Sequence, residues 1–141
     1  MKNIFLVAIA IVVTNTISIA QTKVPVAVSS AFASKFPGAT KVQWGKEGAH
    51  EFEAEFEMAG MKNSANYSEV GKWLETETGI KYESLPEKVR MAFEKSHKSS
   101  EVKEASSIET SKGRSFYEIE IKQGIKTVEL FYSTDGASVK E

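Results

Sequence analysis

One pattern occurs twice along this 141-residue chain, and that duplication limits the folds open to it. Val24-Pro25-Val26-Ala27-Val28 returns as Leu85-Pro86-Glu87-Lys88-Val89, and Ala31-Phe32 returns as Ala92-Phe93, 61 residues on. Phe52-Glu53-Ala54-Glu55-Phe56 returns as Tyr117-Glu118-Ile119-Glu120-Ile121, 65 residues on. Three turn glycines keep the same order: Gly48 with Gly113, Gly60 with Gly124, and Gly71 with Gly136. Tyr67-Ser68 matches Tyr132-Ser133. The change of offset places a few extra residues in the second copy, between its helix and its second strand. Chance supplies any one of these matches; their shared order is much harder to obtain that way.

Each copy opens with a helical period and then changes to a period of two. Val28, Ala31, Phe32 and Phe36 recur at helical spacing, as do Val89, Ala92 and Phe93. Pro25 and Pro86 fit the first turn, where a missing N–H costs nothing. Ser84 and Glu87 have the spacing of a capping box. Pro37-Gly38 stops the first helix, whereas the second has no such stop before His97-Lys98-Ser99-Ser100. Beyond the helices, Val42 and Trp44 alternate with Lys41 and Gln43, and Phe52, Ala54, Phe56 and Met58 with Glu51, Glu53, Glu55 and Glu57. Tyr117, Ile119 and Ile121, then Val128, Leu130 and Tyr132, repeat the pattern. Alternation means one buried and one wet face, the mark of an antiparallel sheet joined by short glycine turns. The expected fold is α+β: two tandem repeats, each one helix packed on an antiparallel sheet of about four strands, with the joining of both sheets into one curved surface left open.

The first twenty residues stand apart. Met1-Lys2-Asn3 carries one positive charge, Ile4 to Val13 is apolar, and Ser18-Ile19-Ala20 ends a more polar tail in small residues. That is the layout of a secretory signal peptide, with the cut after Ala20. The rival, a membrane anchor, is disfavoured because spanning needs about 20 apolar residues. The chain therefore divides into a leader over 1–20, a first repeat over 21–80 and a second over 81–141. The expected location is periplasmic or secreted, without membrane insertion after cleavage.

Composition excludes several classes of chemistry. Loss of residues 1–20 removes one Lys and no acid, so the formal charge moves from −1 to −2. No basic field is available for nucleic acid. The absence of Cys removes disulfides, thiolate metal sites and a cysteine nucleophile.

The residues Val24-Pro25, Val28, Phe36-Pro37-Gly38-Ala39, Val42, Trp44, Phe52 to Phe56 and Gly71-Lys72-Trp73-Leu74-Glu75-Thr76-Glu77 resemble the pattern of the PepSY-like family, also labelled beta-lactamase-inhibitor-like. The resemblance covers essentially the whole chain after the leader. It implies periplasmic or secreted bacterial proteins with tandem helix-plus-sheet repeats, and kinship with the PepSY domains of peptidase propeptides, which are thought to inhibit. The β-lactamase inhibitors use disulfides, and this chain has no Cys to match them. The family pattern supplies no functional residue to carry over.

The acid column Glu51, Glu53, Glu55, Glu57 is the most visible polar feature. Neighbours two apart on a strand lie roughly 7 Å from each other and repel by about 0.6 kcal/mol in water. Lys41, Lys62 or Lys72 on adjacent strands can offset that, so a plain solvated face is the simpler reading. The sharper reading is a docking surface for a basic partner or a weak Ca²⁺ site, though no D-x-D-x-D-G loop exists and Asp135 is the only aspartate. The two histidines, His50 and His97, are too few for zinc, and His97 takes the place of Phe36 in the other copy. No G-x-S-x-G elbow and no phosphate-binding glycine loop is present. No catalytic, cofactor-binding or metal-binding residue is therefore assigned.

Trp44 shares parity with Val42 and belongs in the core. Trp73 and Leu74 are adjacent in a strand and must point to opposite faces. Leu74 matches Val139, which assigns Leu74 to the core and Trp73 to the open face. Phe131 opposes Leu130 and Tyr132 in the same way. The expected function is an exported, non-enzymatic protein-binding module, with inhibition the role that its resemblance to PepSY domains implies. Its open sheet face carries Trp73, Phe131, Glu51, Glu53 and Glu55 as contacts. The alternative is an envelope sensor of a small ligand or metal, and an enzyme ranks last.

Overall fold

The computed structural model describes residues 23–139, so the leader and its cut after Ala20 lie outside the described residues. Helix α1 (Val26–Lys35) leads into strands β1 (Thr40–Glu47), β2 (Glu51–Met58), β3 (Met61–Ser68) and β4 (Trp73–Gly79). A short 3-10 turn (Tyr82–Ser84) precedes helix α2 (Glu87–His97), which leads into β5 (Glu101–Thr110), β6 (Ser115–Gln123), β7 (Lys126–Ser133) and β8 (Ser138–Val139). The extra residues of the second half sit in β5 and the turn after it.

The sheet departs from two separate four-stranded units. All eight strands form one antiparallel sheet in sequence order. β4 pairs with β5 from Glu75↔Thr110 to Gly79↔Ser106. The physical reason is the edge: an unpaired β4 would leave a row of backbone donors and acceptors open, and β5 satisfies them.

Both helices cover the same face. Val28, Phe32 and Phe36 of α1 bury against Phe52, Ala54, Phe56, Ala65 and Tyr67. Trp44 meets Phe32 edge-on at 5.2 Å, in the core as its parity requires. Leu85, Val89 and Phe93 bury against Ala105, Ile119, Ile121 and Tyr132 in a second cluster. His97 stacks on Phe93 at 5.4 Å, and its counterpart Phe36 meets Phe32 at the same 5.4 Å, so the histidine has the packing role expected of it. The parity of Thr76 and Thr78 with Ser107 and Glu109 carries this face from one cluster to the other.

The helix starts differ from expectation in detail. Pro25 and Pro86 occupy the N-cap rather than the first turn, and neither helix has a side-chain cap. The expected Ser84–Glu87 capping box is absent. Ser84 is held in the 3-10 turn, its N–H donating to Lys81 O, and Pro86 stands where the box needs its serine.

Two glycines tie the helices to the sheet. Gly71 and Gly136 have φ of +82° and +85°, and a Cβ at either would lie 2.5 Å from a helix carbonyl, Ala27 O and Lys88 O respectively. Each helix start therefore rests on the turn before the last strand of its own half, closer than any side chain permits. Gly71→Ala or Gly136→Ala should each cost about 2 kcal/mol or more, read by urea unfolding. Gly124→Ala, at φ +65° with nothing within 4 Å, should cost about 1 kcal/mol. Equal losses at all three sites would show that the close approach is unimportant.

Candidate protein-contact face

Register defines what the helix-free face carries. One row runs Gln43, Glu55, Ser64, Glu77, Ile108, Phe116, Ser133 across seven strands. A parallel row runs Gly45, Glu53, Asn66, Glu75, Thr110. The face is thus acidic over β2 to β4, and over β5 to β7 it carries Ile108, Phe116 and Phe131 together with Glu104, Glu118, Glu120 and Glu129.

Its floor is closed without a covering helix among the described residues. Ser106, Ile108, Thr110 and Phe116 are only 4, 5, 7 and 7% exposed, although none of them points at α1 or α2. A cavity of about 420 Å³ opens at the acidic end, lined by Gln43, Glu53, Glu55, Ser64, Glu77 and Glu104 among others. On β7, Phe131 is half-buried, meeting Phe116 edge-on at 6.0 Å.

The carboxylates here are not a plain solvated column. Glu51 and Glu55 are exposed, but Glu53 is partly buried. Burial raises the Glu53 pKa, and the charges of Glu47, Glu55 and Glu77 push it further, against a hydrogen bond from Ser64. Burial also raises Glu77, with Glu129, Glu75 and Glu104 adding to it and the Ser106 hydroxyl opposing. Glu120 is raised by burial and by Glu104, Glu129 and Glu77. Acids of six strands, β1, β2, β4, β5, β6 and β7, therefore share one field. Lys41 and Lys62 line the same cavity; Lys41 pairs with Glu57 at 2.9 Å, and Lys103 pairs with Glu101 at 2.8 Å.

The sequence-derived contact set is partly rearranged. Glu51, Glu53, Glu55 and Phe131 share the helix-free face. Trp73 does not, and this corrects its assignment. Asn66 pairs with Glu75 and the next pair is Tyr67 with Trp73, so Leu74 is an extra, bulged residue. The bulge breaks the alternation on which the assignment rested and turns Trp73 to the helix side. There it packs against the first core, its Nε1–H donates to Thr76 Oγ1 at 2.9 Å, and Lys35 Nζ lies 3.7 Å from its ring centre. Leu74 O accepts the Ser111 N–H at 2.6 Å. Sequence reasoning missed Glu77, Glu104, Ile108 and Phe116. The adjacent aromatics Phe116 and Tyr117 were the available signal, since neighbours on a strand must face opposite ways.

Other polar side chains do not converge. His50 lies 3.1 Å from Glu69 in an exposed pair, and Asp135 bonds to Ser133 within its own turn. Among the described residues no group of three or more His, Cys, Asp or Glu is placed to hold a metal ion. No helix among them is long and apolar enough to cross a membrane.

Glu77 gives the electrostatics a direct test. Its raised pKa means that ionised Glu77 costs stability above that pKa. The cost fades as pH falls through it and is gone below the ordinary value of 4.5. Glu77→Gln should therefore raise the melting temperature at pH 7.5 by about 2–5 °C and confer no gain near pH 4. A lowered melting temperature at pH 7.5 would contradict the assignment.

Comparison with known proteins places this geometry among relatives. A DUF2874 family protein from Bacteroides ovatus is 25% identical, with a TM-score of 0.72 over 82% of this chain and 84% of that one. A BLIP-like protein from Bacteroides fragilis is 24% identical, with a TM-score of 0.67 over 81% and 82%. A structure from Bacteroides eggerthii described as "putative periplasmic proteins" is 18% identical, with a TM-score of 0.75 over 82% and 86%. A search of curated proteins finds no match. The family model described as "Putative beta-lactamase-inhibitor-like, PepSY-like" matches residues 50–140, well over half of the chain, and the chain belongs to that family.

Proposed function

We propose that this chain is an exported, non-enzymatic binding module that holds another protein, and inhibits it, through the helix-free face of its sheet. The observation that carries this reading is the floor of that face. Ile108 and Phe116 are buried with no helix over them, ringed by carboxylates whose ionisation is disfavoured. A fold gains nothing for its own stability by crowding acids there. A partner that brings opposite charge recovers that cost. The contact set becomes Glu51, Glu53, Glu55 and Phe131 from the sequence, joined by Glu77, Ile108 and Phe116.

Export rests on the leader pattern over 1–20, and the Bacteroides eggerthii relative described as periplasmic agrees with it. The division into copies at 21–80 and 81–141 draws support from three correspondences. Helix and strands follow in the same order twice, Phe32–Phe36 corresponds to Phe93–His97, and Gly71 on Ala27 corresponds to Gly136 on Lys88.

The natural absence of Cys allows one position to be blocked at a time. Gln43→Cys on the open face and Lys95→Cys on the outside of α2 are each coupled to a polyethylene-glycol maleimide. They are then used to capture partners from native envelope extract. A saturable partner should be held by the Lys95 conjugate and lost, by about tenfold or more, from the Gln43 conjugate. Retention by the Gln43 conjugate would remove the helix-free face from the reading.

A further inference from the structure

We propose that two copies of this chain pair edge to edge through β1, antiparallel, with Trp44 facing Trp44 of the second copy, so that two eight-stranded sheets continue into one. This surface is separate from the helix-free face and does not depend on what that face binds.

β1 forms one edge of the sheet, with no described strand outside it. The turns further in determine which of its backbone groups are open. Ala59 and Gly60 have φ of +53° and +78°, so β2 and β3 are joined by a two-residue turn whose flanking residues, Met58 and Met61, exchange both hydrogen bonds. At the far end of the same alternation the Glu69 N–H donates to His50 O at 2.9 Å. Even-numbered residues of β2 therefore bond to β3, and odd-numbered ones face β1. Thr40 Oγ1, which donates to Glu57 O, agrees with that parity. Gln43, Gly45 and Glu47 stand opposite Glu55, Glu53 and Glu51, so their backbone groups are used inward. Val42, Trp44 and Lys46 turn their N–H and C=O groups outward, where no described strand meets them. The opposite edge is different, because it carries β8, a strand of two described residues that blunts it.

The residues of β1 select a second copy as the occupant. A two-fold axis at Trp44 sets Trp44 against Trp44, Val42 against Lys46 and Gln43 against Gly45 of the other copy. That register uses all three outward residues on both copies, and an axis shifted along the strand uses fewer. It also places Lys41 opposite Glu47 at both ends of the ladder, with no like charges facing each other. A foreign strand of one charge would leave Lys41 or Glu47 facing its like, whereas β1 reversed matches both. Val42 is 37% exposed and would be covered by the stem of Lys46, while the partly buried Trp44 rings meet across the axis. The bulge between Thr40 and Gln43, where Lys41 has φ +53°, ends the ladder on one side, and the Gly48 turn ends it on the other. The bulge limits the pairing to a few residues and leaves the three outward ones free to pair. Such an axis stands normal to the sheet, so both helix-free faces are presented on one side.

Residues 21–141 contain both helices and all eight strands, and their sedimentation at rising protein concentration is the first measurement. A reversible monomer–dimer equilibrium should appear. Amide hydrogen exchange at Val42, Trp44 and Lys46 should slow as the dimer forms, with Gln43, Gly45 and Glu47 unchanged. Lys41→Glu and Glu47→Lys should each weaken self-association by about tenfold, because like charges then face each other twice. Mixed together, these two variants should pair with one another about as well as the parent pairs with itself. Lys46→Pro removes one outward N–H and should abolish the dimer. Unchanged monomer melting temperatures for the charge variants would show that the loss is of pairing and not of fold. A monomer at every concentration would overturn the proposal. So would a dimer whose outward amides exchange as fast as before, or two charge variants that fail to pair when mixed.

Discussion

The backbone ladder between β4 and β5, from Glu75–Thr110 to Gly79–Ser106, joins two helix-covered sets of strands into one sheet. Without it each half would end on a bare edge. With it, Glu77 of the first half stands directly beside Ile108 of the second, and the acids of the two halves share the helix-free face. The bulge at Leu74 lies at the start of this junction, and Ser111 closes it by bonding to the Leu74 carbonyl. A single irregular residue thus turns Trp73 into the core and keeps the open face free of the largest aromatic in the strand.

Stability and recognition are assigned to opposite faces. On the helix side, Phe32 and Phe93 anchor two clusters of closely packed rings and aliphatic side chains, and Gly71 and Gly136 let each helix start sit on backbone. These contacts are the same in kind in both halves and do not involve the acids. The helix-free side holds groups that the fold does not need: carboxylates with raised pKa and a half-buried phenylalanine. Separating the faces lets the floor be unfavourable by itself while the helices hold the sheet in shape.

Much of this was legible in the residues. Strict alternation in Phe52 to Met58 and in Tyr117 to Ile121 identified the core face, and the parity of Trp44 placed it correctly. The spacing of Gly71 and Gly136 relative to the helix starts marked a position that both halves share, although the sequence could not show that a helix carbonyl lies against each. Trp73 was misplaced because a bulge adds one residue without any signal in the residue types, and every parity argument beyond it shifts. The Ser84–Glu87 spacing suggested a cap that Pro86 displaces. Ile108 and Glu77 could be joined only by knowing that β4 pairs with β5, a contact between distant segments that local pattern does not encode.

Carboxylate footprinting tests the division of faces most directly. Glutamates are labelled with a carbodiimide and a neutral amine, with and without the captured partner, and read by mass spectrometry. Glu51, Glu53, Glu55 and Glu77 should be protected on binding, with no change at Glu83, Glu87 and Glu94 around α2. Protection confined to Glu83, Glu87 and Glu94 would place the partner on the helices and overturn the assignment of recognition to the helix-free face.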